Sequence, residues 1–301
     1  MNPANVRVTL ARLGALLTAA WVAAVPSGAA AQSFTTIDVP GAAETKADGV
    51  NDPGEIVGFY RTAPGGPFHG YLRTSGGTFY TLDYPGAIET RAHAINAPGD
   101  VAGEYTAPDF VTHGFFWQRS NGSFTTIDVP GADQTAIFGV NSEGDVAGPY
   151  IVGSVVRGFV RLADGGFVSI DVPGAALTVA GAINERGDLT GAYVDSGGSE
   201  HAFFKSKDDA GFTGFDAPGA VGTEGHKIND RGQIVGPDCP NTSCLSPGLQ
   251  HGYLRQRDGT FTVFDVPGAV STAAGGINNS GSIVGSYFDA NLVLHGFLRT
   301  P

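Results

Sequence analysis

The stretch "TTIDVPGA" spans Thr35–Ala42 and returns unchanged at 125–132. Its Pro-Gly pair recurs six times, and an Asn follows each pair by about eleven residues. Both series advance in steps of 45, 45, 43, 45 and 49 residues, at Pro40, Pro85, Pro130, Pro173, Pro218 and Pro267 and at Asn51, Asn96, Asn141, Asn184, Asn229 and Asn278. A fixed period of roughly 20 to 50 residues is the signature of repeated supersecondary units. Six units therefore fill residues 32–301.

Each unit predicts four short β-strands. In the second unit they are "FYTLDY", "TRAHAIN", "DVAGEY" and "HGFFW", which are rich in Val, Ile, Thr and aromatic residues and are separated by turn residues. Pro followed by Gly predicts a type II turn after the first run. Four antiparallel strands repeated six times predict an all-β fold, a six-bladed β-propeller. Tandem β-trefoils, each built from three four-stranded units, are the alternative.

The phase of the repeat predicts how the ring closes. The first unit begins within "FTTIDV" and the last ends at "HGFLRTP", so the last unit lacks one strand. We expect residues 34–39 to pair with residues 295–299 and complete the sixth blade, because this pairing joins the two ends of the sheet array. The strand nearest the axis is then "TKADGVN" and its equivalents.

The amino terminus predicts export. Arg7 and Arg12 precede the apolar run 13–25, and three alanines at 29–31 follow, which is the layout of a signal peptide over residues 1–31. The domain then spans 32–301, and no other segment reaches the roughly 18 apolar residues of a transmembrane segment. The expected location is extracellular or periplasmic. In such a compartment Cys239 and Cys244 predict a local disulfide.

Charge and motifs exclude several function classes. The formal net charge is −12, which repels phosphate backbones, so nucleic acid is not an expected partner. The sequence holds no GxSxG elbow, HExxH pair, phosphate loop or EF-hand spacing. Propeller enzymes assemble sites from separate blades, so this absence leaves the question of an enzyme open.

The sequence also resembles a known family. It contains "HAF" at His201–Phe203, "HGF" or "HGY" at His69, His113, His251 and His295, and "GIN" followed by a turn and "IVG" within 276–285. These motifs resemble the HAF repeats of predicted extracellular bacterial proteins, across all six units. The chain departs from that pattern in having Arg157 in place of one His and Gly where Ala is usual. The resemblance implies export and a repeated β fold, and it implies no particular reaction.

The repeated Asp and His residues favour a structural role. Acid–base catalysis needs two carboxylates with different environments, whereas a group present once per blade occupies six equivalent places. We expect each Asp to accept backbone N–H bonds of the adjacent turn, and each His to form hydrogen bonds within its blade. The Asp residues are Asp38, Asp83, Asp128, Asp171, Asp216 and Asp265.

Positions where the units disagree are better functional candidates. Three residues before the repeat Asn stand Asp48, His93, Phe138, Gly181, His226 and Gly275, and five before it stand Lys46, Arg91, Ala136, Val179, Glu224 and Ala273. The catalytic candidates are His93, His226, Asp48 and Glu224, and the candidate ligands for a divalent metal are His93, His226 and Asp48. Candidate ligand-binding residues on the same face are Arg61, Arg91, Tyr105, Asp195 and Asp289. The alternative interpretation is that these candidates form no site and are unrelated polar residues at a solvated channel mouth.

These observations predict an exported binding or scaffold module. Its expected partner is a carbohydrate, a peptide or another small extracellular or surface ligand on the face of the Pro-Gly crossovers. One alternative is an extracellular hydrolase or lyase, with or without a divalent metal, whose site lies at the channel mouth. A structural surface protein is the other.

Overall fold

Twenty-six β-strands form six blades around a central axis in the computed structural model, which describes residues 32–240, 244 and 249–301. The described residues form no helix. The predicted six-bladed β-propeller is confirmed, and the alternative of tandem β-trefoils is wrong. The predicted signal peptide, residues 1–31, lies outside the described residues.

The strands follow the repeat. The first strand is β1 (Ser33–Ile37). Blade one comprises β2 (Glu44–Val50), β3 (Ile56–Arg61), β4 (His69–Arg73) and β5 (Phe79–Thr81). Blade two comprises β6 (Glu89–Ile95), β7 (Val101–Thr106), β8 (Thr112–Gln118) and β9 (Ser123–Ile127). Blade three comprises β10 (Gln134–Thr135), β11 (Gly139–Val140), β12 (Val146–Val152), β13 (Val155–Arg161) and β14 (Phe167–Ile170).

The second half continues in the same order. Blade four comprises β15 (Leu177–Ile183), β16 (Leu189–Val194), β17 (Glu200–Lys205) and β18 (Thr213–Phe215). Blade five comprises β19 (Gly222–Thr223), β20 (Lys227–Ile228), β21 (Ile234–Cys239), β22 (His251–Arg255) and β23 (Phe261–Phe264). Blade six comprises β24 (Ser271–Ile277), β25 (Ile283–Phe288), β26 (Leu294–Thr300) and β1. Neighbours within a blade are antiparallel, and a one-residue parallel contact between β17 and β19 links blades four and five.

The amino-terminal strand completes blade six, as predicted. β1 pairs antiparallel with β26, so that Phe34 lies opposite Arg299 and Ile37 lies opposite Gly296. Ile37 is 3% exposed, in an apolar cluster that also contains Val284 of blade six. The first and last described strands are therefore held together as one strand pair.

Pro-Gly turns connect each blade to the next on one face, called here the crossover face. In the first turn Ala42 N donates to Val39 O at 3.0 Å, and Gly41 has a φ of +80°, which identifies the predicted type II geometry. A buried threonine of the following innermost strand fixes the turn, because its hydroxyl accepts from the N–H of Val39. The same threonine bond recurs in every unit, at Thr45, Thr90, Thr135, Thr178, Thr223 and Thr272.

The repeat Asp carboxylates contact histidine side chains or Arg157, so the prediction that they cap the turns is wrong. The carboxylate of Asp38 contacts His295 Nδ1 at 2.8 Å, and blade three keeps the contact through Arg157 and Asp171 at 3.1 Å. The turn N–H is already satisfied by threonine, which leaves the carboxylate for the histidine. The expected hydrogen bonds of the histidines within their blades are confirmed, between His69 and Asp83, His113 and Asp128, His201 and Asp216, and His251 and Asp265.

Substitution of Ile37 tests the closing strand pair. We expect Ile37→Ala to lower the free energy of unfolding by about 2–5 kcal/mol, because it removes buried methyl groups that only the closed ring covers. The matched control is Thr35→Ala at an exposed position of the same strand, with an expected change within about 0.5 kcal/mol. Urea denaturation measures both, and equal small effects would contradict the closure.

Candidate functional site

A channel runs along the axis between the six innermost strands. Its narrow part is lined by glycine, alanine, valine and isoleucine, together with Lys227. Towards the crossover face it widens into a pocket of about 240 Å³, called here the mouth pocket. One arc of its wall is polar, with Lys46, Asp48, His93, Glu224 and His226. The opposite arc comes from blades three and four and is apolar apart from Glu200 of β17, with Phe138, Leu177, Val179 and Ala192.

β-Bulges aim the polar side chains into this pocket. In blade one the pairing of β2 with β3 skips a residue between Ala47 and Gly49, so Asp48 is the extra residue. The same irregularity in blade two leaves His93 as the extra residue between Ala92 and Ala94. A bulge bends its strand and redirects the side chain of the unpaired residue. The symmetry-breaking position is therefore the bulge position.

Glycines on the second strand of each blade make room for the bulges. A Cβ on Gly58 would lie 2.0 Å from the carbonyl oxygen of Lys46, and one on Gly103 would lie equally close to that of Arg91. No side chain fits at such a distance, so the "G" of the "IVG" motif is a steric requirement of the bulge.

Asp48 and His93 form the centre of the polar arc. His93 Nδ1 lies 2.7 Å from Asp48 Oδ2, and Lys46 Nζ lies 3.1 Å from the other oxygen of the same carboxylate. His93 Nε2 faces Glu104 at 3.8 Å, and Glu104 in turn accepts a hydrogen bond from Arg91. The predicted catalytic candidates of blades one and two are therefore in direct contact.

Burial and charge set the protonation of this group. Burial alone would lower the pKa of His93, but the contacts with Asp48 and Glu104 outweigh it and raise the pKa above its ordinary value. Burial opposes ionisation of Glu104, yet His93 and Arg91 hold the pKa of Glu104 at about 2. The pKa of Asp48 is likewise held below its usual range, against burial, by Lys46 and His93. The arc thus carries fixed carboxylates at neutral pH.

Blade five supplies a second pair. His226 Nε2 lies 2.6 Å from Glu224 Oε2. Burial would raise the pKa of Glu224, but His226, a hydrogen bond with Glu200 and the charge of Lys46 lower it. Glu200 also accepts a hydrogen bond from the backbone N–H of Cys244. The disulfide between Cys239 and Cys244, predicted from the sequence, is present and holds Cys244 beside the end of β21.

The other predicted ligand-binding residues lie outside the mouth pocket. Arg61 pairs with Glu44, and the guanidinium groups of Arg61 and Arg91 both lie over the ring of Phe68, 5.0 Å and 4.7 Å from its centroid. Tyr105 is buried and stacks on Tyr84, with 3.7 Å between ring centroids. Asp195 and Asp289 accept backbone N–H bonds in the exposed turns before β17 and β26. A ligand role for these five residues stays a prediction.

Lys227 is the residue that the sequence reasoning overlooked. It lines both the mouth pocket and the narrow channel. It stands two residues before the repeat Asn, where the other units have Gly49, Ala94, Gly139, Ala182 and Gly276. Comparison of the units at that position would have found it, because only blade five departs from a small residue there.

No metal centre is assembled in the part of the chain that the structure describes. Among residues 32–240, 244 and 249–301, no three or more His, Cys, Asp or Glu side chains are placed to hold an ion. Both ring nitrogens of His93 face carboxylates, those of Asp48 and Glu104, and His226 is hydrogen-bonded to Glu224. The predicted ligand set of His93, His226 and Asp48 is therefore not brought together.

Comparisons with known proteins identify the fold. No family model matches the chain, and no curated protein matches it, so the resemblance to HAF repeats stays a prediction. Similar solved structures include TolB from Agrobacterium tumefaciens, at 12% identity and a TM-score of 0.61, covering 89% of this chain and 96% of that one. A variant of Aleuria aurantia lectin in complex with α-methyl-L-fucoside has 12% identity and a TM-score of 0.51, covering 88% and 93%.

A gluconolactonase from Xanthomonas campestris is similar as well, at 12% identity and a TM-score of 0.51, with 90% of each chain covered. These proteins are β-propellers. At such identities the likeness concerns the architecture alone. Separately, none of the described residues belongs to a helix that could cross a membrane.

The raised pKa of His93 predicts a pH-dependent contribution to stability. Protonated His93 stabilises the fold through Asp48 and Glu104, so its contribution is complete below the unfolded pKa of about 6.5 and is lost as pH rises through the higher folded value. We expect His93→Gln to destabilise the protein more at pH 5.5 than at pH 9 in urea denaturation.

The control is His251→Gln, which removes an exposed ion pair with Asp265 and should cost less than about 1 kcal/mol at either pH. An equal loss of stability at both pH values in the His93→Gln variant would contradict a charged, buried His93.

Proposed function

We propose that this protein is an exported β-propeller that binds a small carbohydrate in its mouth pocket. The observation that carries the proposal is the division of the pocket wall into a polar arc from blades one, two and five and an arc from blades three and four that is apolar apart from Glu200. A sugar ring has the same division, because its hydroxyl groups project around the edge while its C–H groups form an apolar face.

The polar arc suits hydroxyl groups. Asp48 and Glu224 both have lowered pKa values, so they are ionised acceptors at neutral pH. Lys46 and His226 stand beside them as donors, and their side chains keep 27% and 28% of their surface exposed, which leaves them accessible to a ligand. Hydrogen bonds to charged groups are about twice as strong as neutral ones.

The apolar arc suits the C–H face of the ring. Phe138 is half-buried and offers an aromatic surface, and Leu177 and Val179 extend it. The volume of about 240 Å³ lies below the roughly 300 Å³ at which pockets for drug-sized ligands begin. The pocket therefore favours one or two sugar units over a peptide segment, which was the other ligand class open from the sequence.

Export is part of the proposal. The disulfide between Cys239 and Cys244 supports it, because disulfides persist in oxidising compartments and are rare in the cytosol. The signal-peptide pattern of residues 1–31 agrees with it. A carbohydrate ligand outside the cytoplasm is consistent with both.

One observation favours the second candidate function, an extracellular hydrolase or lyase. Glu200 and Glu224 both line the mouth pocket, and Glu200 contributes to the lowered pKa of Glu224. Two neighbouring carboxyl groups with different environments are an arrangement which hydrolytic enzymes use for acid–base chemistry. The enzyme candidate thus depends on Glu224 as a proton-transfer group, whereas the binding candidate uses it as an acceptor.

Saturation-transfer NMR and calorimetry with a panel of free monosaccharides and disaccharides test the binding function. For any sugar that binds, we expect Glu224→Gln and Phe138→Ala each to weaken affinity about tenfold or more. Glu224→Gln removes a hydrogen bond to a charged group, worth about 1.5–3 kcal/mol, and Phe138→Ala removes the aromatic contact with the C–H face of the ring. Asp164→Asn, in the hairpin between β13 and β14 on the opposite face, is the matched control and should leave affinity unchanged.

Two outcomes would overturn the binding function. One is the absence of binding by every sugar in the panel to protein shown by circular dichroism to be folded. The other is release of p-nitrophenol from p-nitrophenyl glycosides by the wild-type protein and not by Glu224→Gln, which would support the hydrolase.

A further inference from the structure

Lys227 places one long cationic side chain where the propeller otherwise has glycine or alanine. It belongs to β20, the innermost strand of blade five, and its neighbours in the narrow channel are small or apolar. The side chain is half-buried and borders the floor of the mouth pocket. A molecule that enters from the crossover face would therefore meet the amine at the end of its path.

The amine has no counterion of its own. The acidic group that influences it is Asp48, whose two oxygens are already engaged, one by Lys46 at 3.1 Å and one by His93 at 2.7 Å. Within the described part of the chain, the Lys227 side chain makes no hydrogen bond or ion pair. An unpaired amine in an apolar channel is costly as an ammonium ion.

Burial and charge act on this amine in a definite direction. Burial is the largest effect and, with the positive charge of Lys46, it lowers the pKa of Lys227 to about 8, while Asp48 opposes the shift. The titratable groups that face the same pocket are Lys46, Asp48, His93, Glu200, Glu224 and His226. Desolvation together with a neighbouring cation is a known way to make a lysine nucleophilic.

We propose that Lys227 is a nucleophilic amine that captures the carbonyl group of a small aldehyde or ketone as an imine. The nitrogen lone pair attacks the carbonyl carbon and gives a carbinolamine. An acidic group of the pocket or the medium protonates the hydroxyl group, which leaves as water, and the remaining N–H proton then returns to that acidic group or to the medium. The sum is amine plus carbonyl giving imine plus water, and no oxidant or reductant is needed.

A carbonyl ligand fits the surroundings better than an anion does. An anion at Lys227 would share the pocket with the ionised carboxyl groups of Asp48 and Glu224, and like charges at short range repel. A neutral carbonyl compound avoids that repulsion, and the imine it forms can be stabilised as a cation by the same carboxylates. The proposal goes beyond carbohydrate binding and does not depend on it.

Reductive trapping tests the proposal. The purified protein is incubated with glycolaldehyde and sodium cyanoborohydride at pH 7.5, and modified lysines are mapped by proteolysis and mass spectrometry. The chain has four lysines, Lys46, Lys205, Lys207 and Lys227, so each rate can be followed separately. At this pH about a quarter of Lys227 is neutral, compared with about a tenth of a per cent of an ordinary lysine of pKa near 10.4.

We expect Lys227 to be modified at least about tenfold faster than Lys205 and Lys207. Lys227→Ala should fold, because Ala94 and Ala182 occupy the equivalent places, and it should lose the fast modification. Lys205→Arg is the matched control and should keep it. Equal rates at Lys227 and Lys207, faster modification of Lys46, or a fast phase that persists in Lys227→Ala would each overturn the proposal.

An anion site would give a different result. Protection of the Lys227 amine by sodium acetate against an acylating reagent, with no glycolaldehyde adduct at that lysine, would indicate anion binding and overturn imine formation. Sugar affinity measured on Lys227→Ala separates this proposal from the proposed function, because carbohydrate binding can persist when the amine is absent.

Discussion

The bulge in each innermost strand is the constraint on which the site depends. The carbonyl group two residues before the unpaired bulge residue lies very close to the second strand. A Cβ on Gly236 of that strand would lie 1.8 Å from Glu224 O, and a Cβ on Gly285 would lie 2.1 Å from Ala273 O. The second strand must therefore carry glycine, and in return one residue per blade is released from pairing and directed towards the axis. Asp48 and His93 reach the pocket by this route, so the motif that looks structural is what positions the chemistry.

The repeated polar groups are occupied by the fold itself. Threonine hydroxyls hold the crossover turns, Asp and His pair at the outer strands, and Asn side chains link the innermost strands, as when Asn51 Nδ2 donates to the carbonyl of Asn96. Buried polar groups need partners, and these partners are all internal. Function therefore has to come from groups that the symmetry does not use, which is why the mouth pocket is built from unlike residues at equivalent positions.

Period and turn chemistry made the fold predictable, whereas the site was predictable only in part. The Pro-Gly and Asn series determine blade number, phase and the pairing of Phe34 with Arg299, because each is a local signal repeated six times. Local sequence does not determine which side chain accepts a given hydrogen bond. The turn N–H predicted to bond to Asp38 donates instead to the hydroxyl of Thr45, because both side chains can accept it, and Asp38 contacts His295. Tyr105 was predicted to bind a ligand because it lies where a strand meets a loop. Its ring stacks on that of Tyr84, so packing determines the orientation of its side chain.

The single lysine at the axis follows from a limit on space and charge. Six equivalent positions converge on the narrow channel, and the Gly49, Gly139 and Gly276 positions contribute no side chain there. The space left by these glycines accommodates one extended side chain. A second cationic side chain beside Lys227 would be repelled by it, and Asp48 could not offset that repulsion because it already contacts Lys46 and His93. The backbone positions are equivalent around the axis, whereas only blade five carries a long side chain at this position. A propeller that closes tightly on its axis can hold one reactive group there, and the blade that supplies it sets the direction from which a ligand must approach.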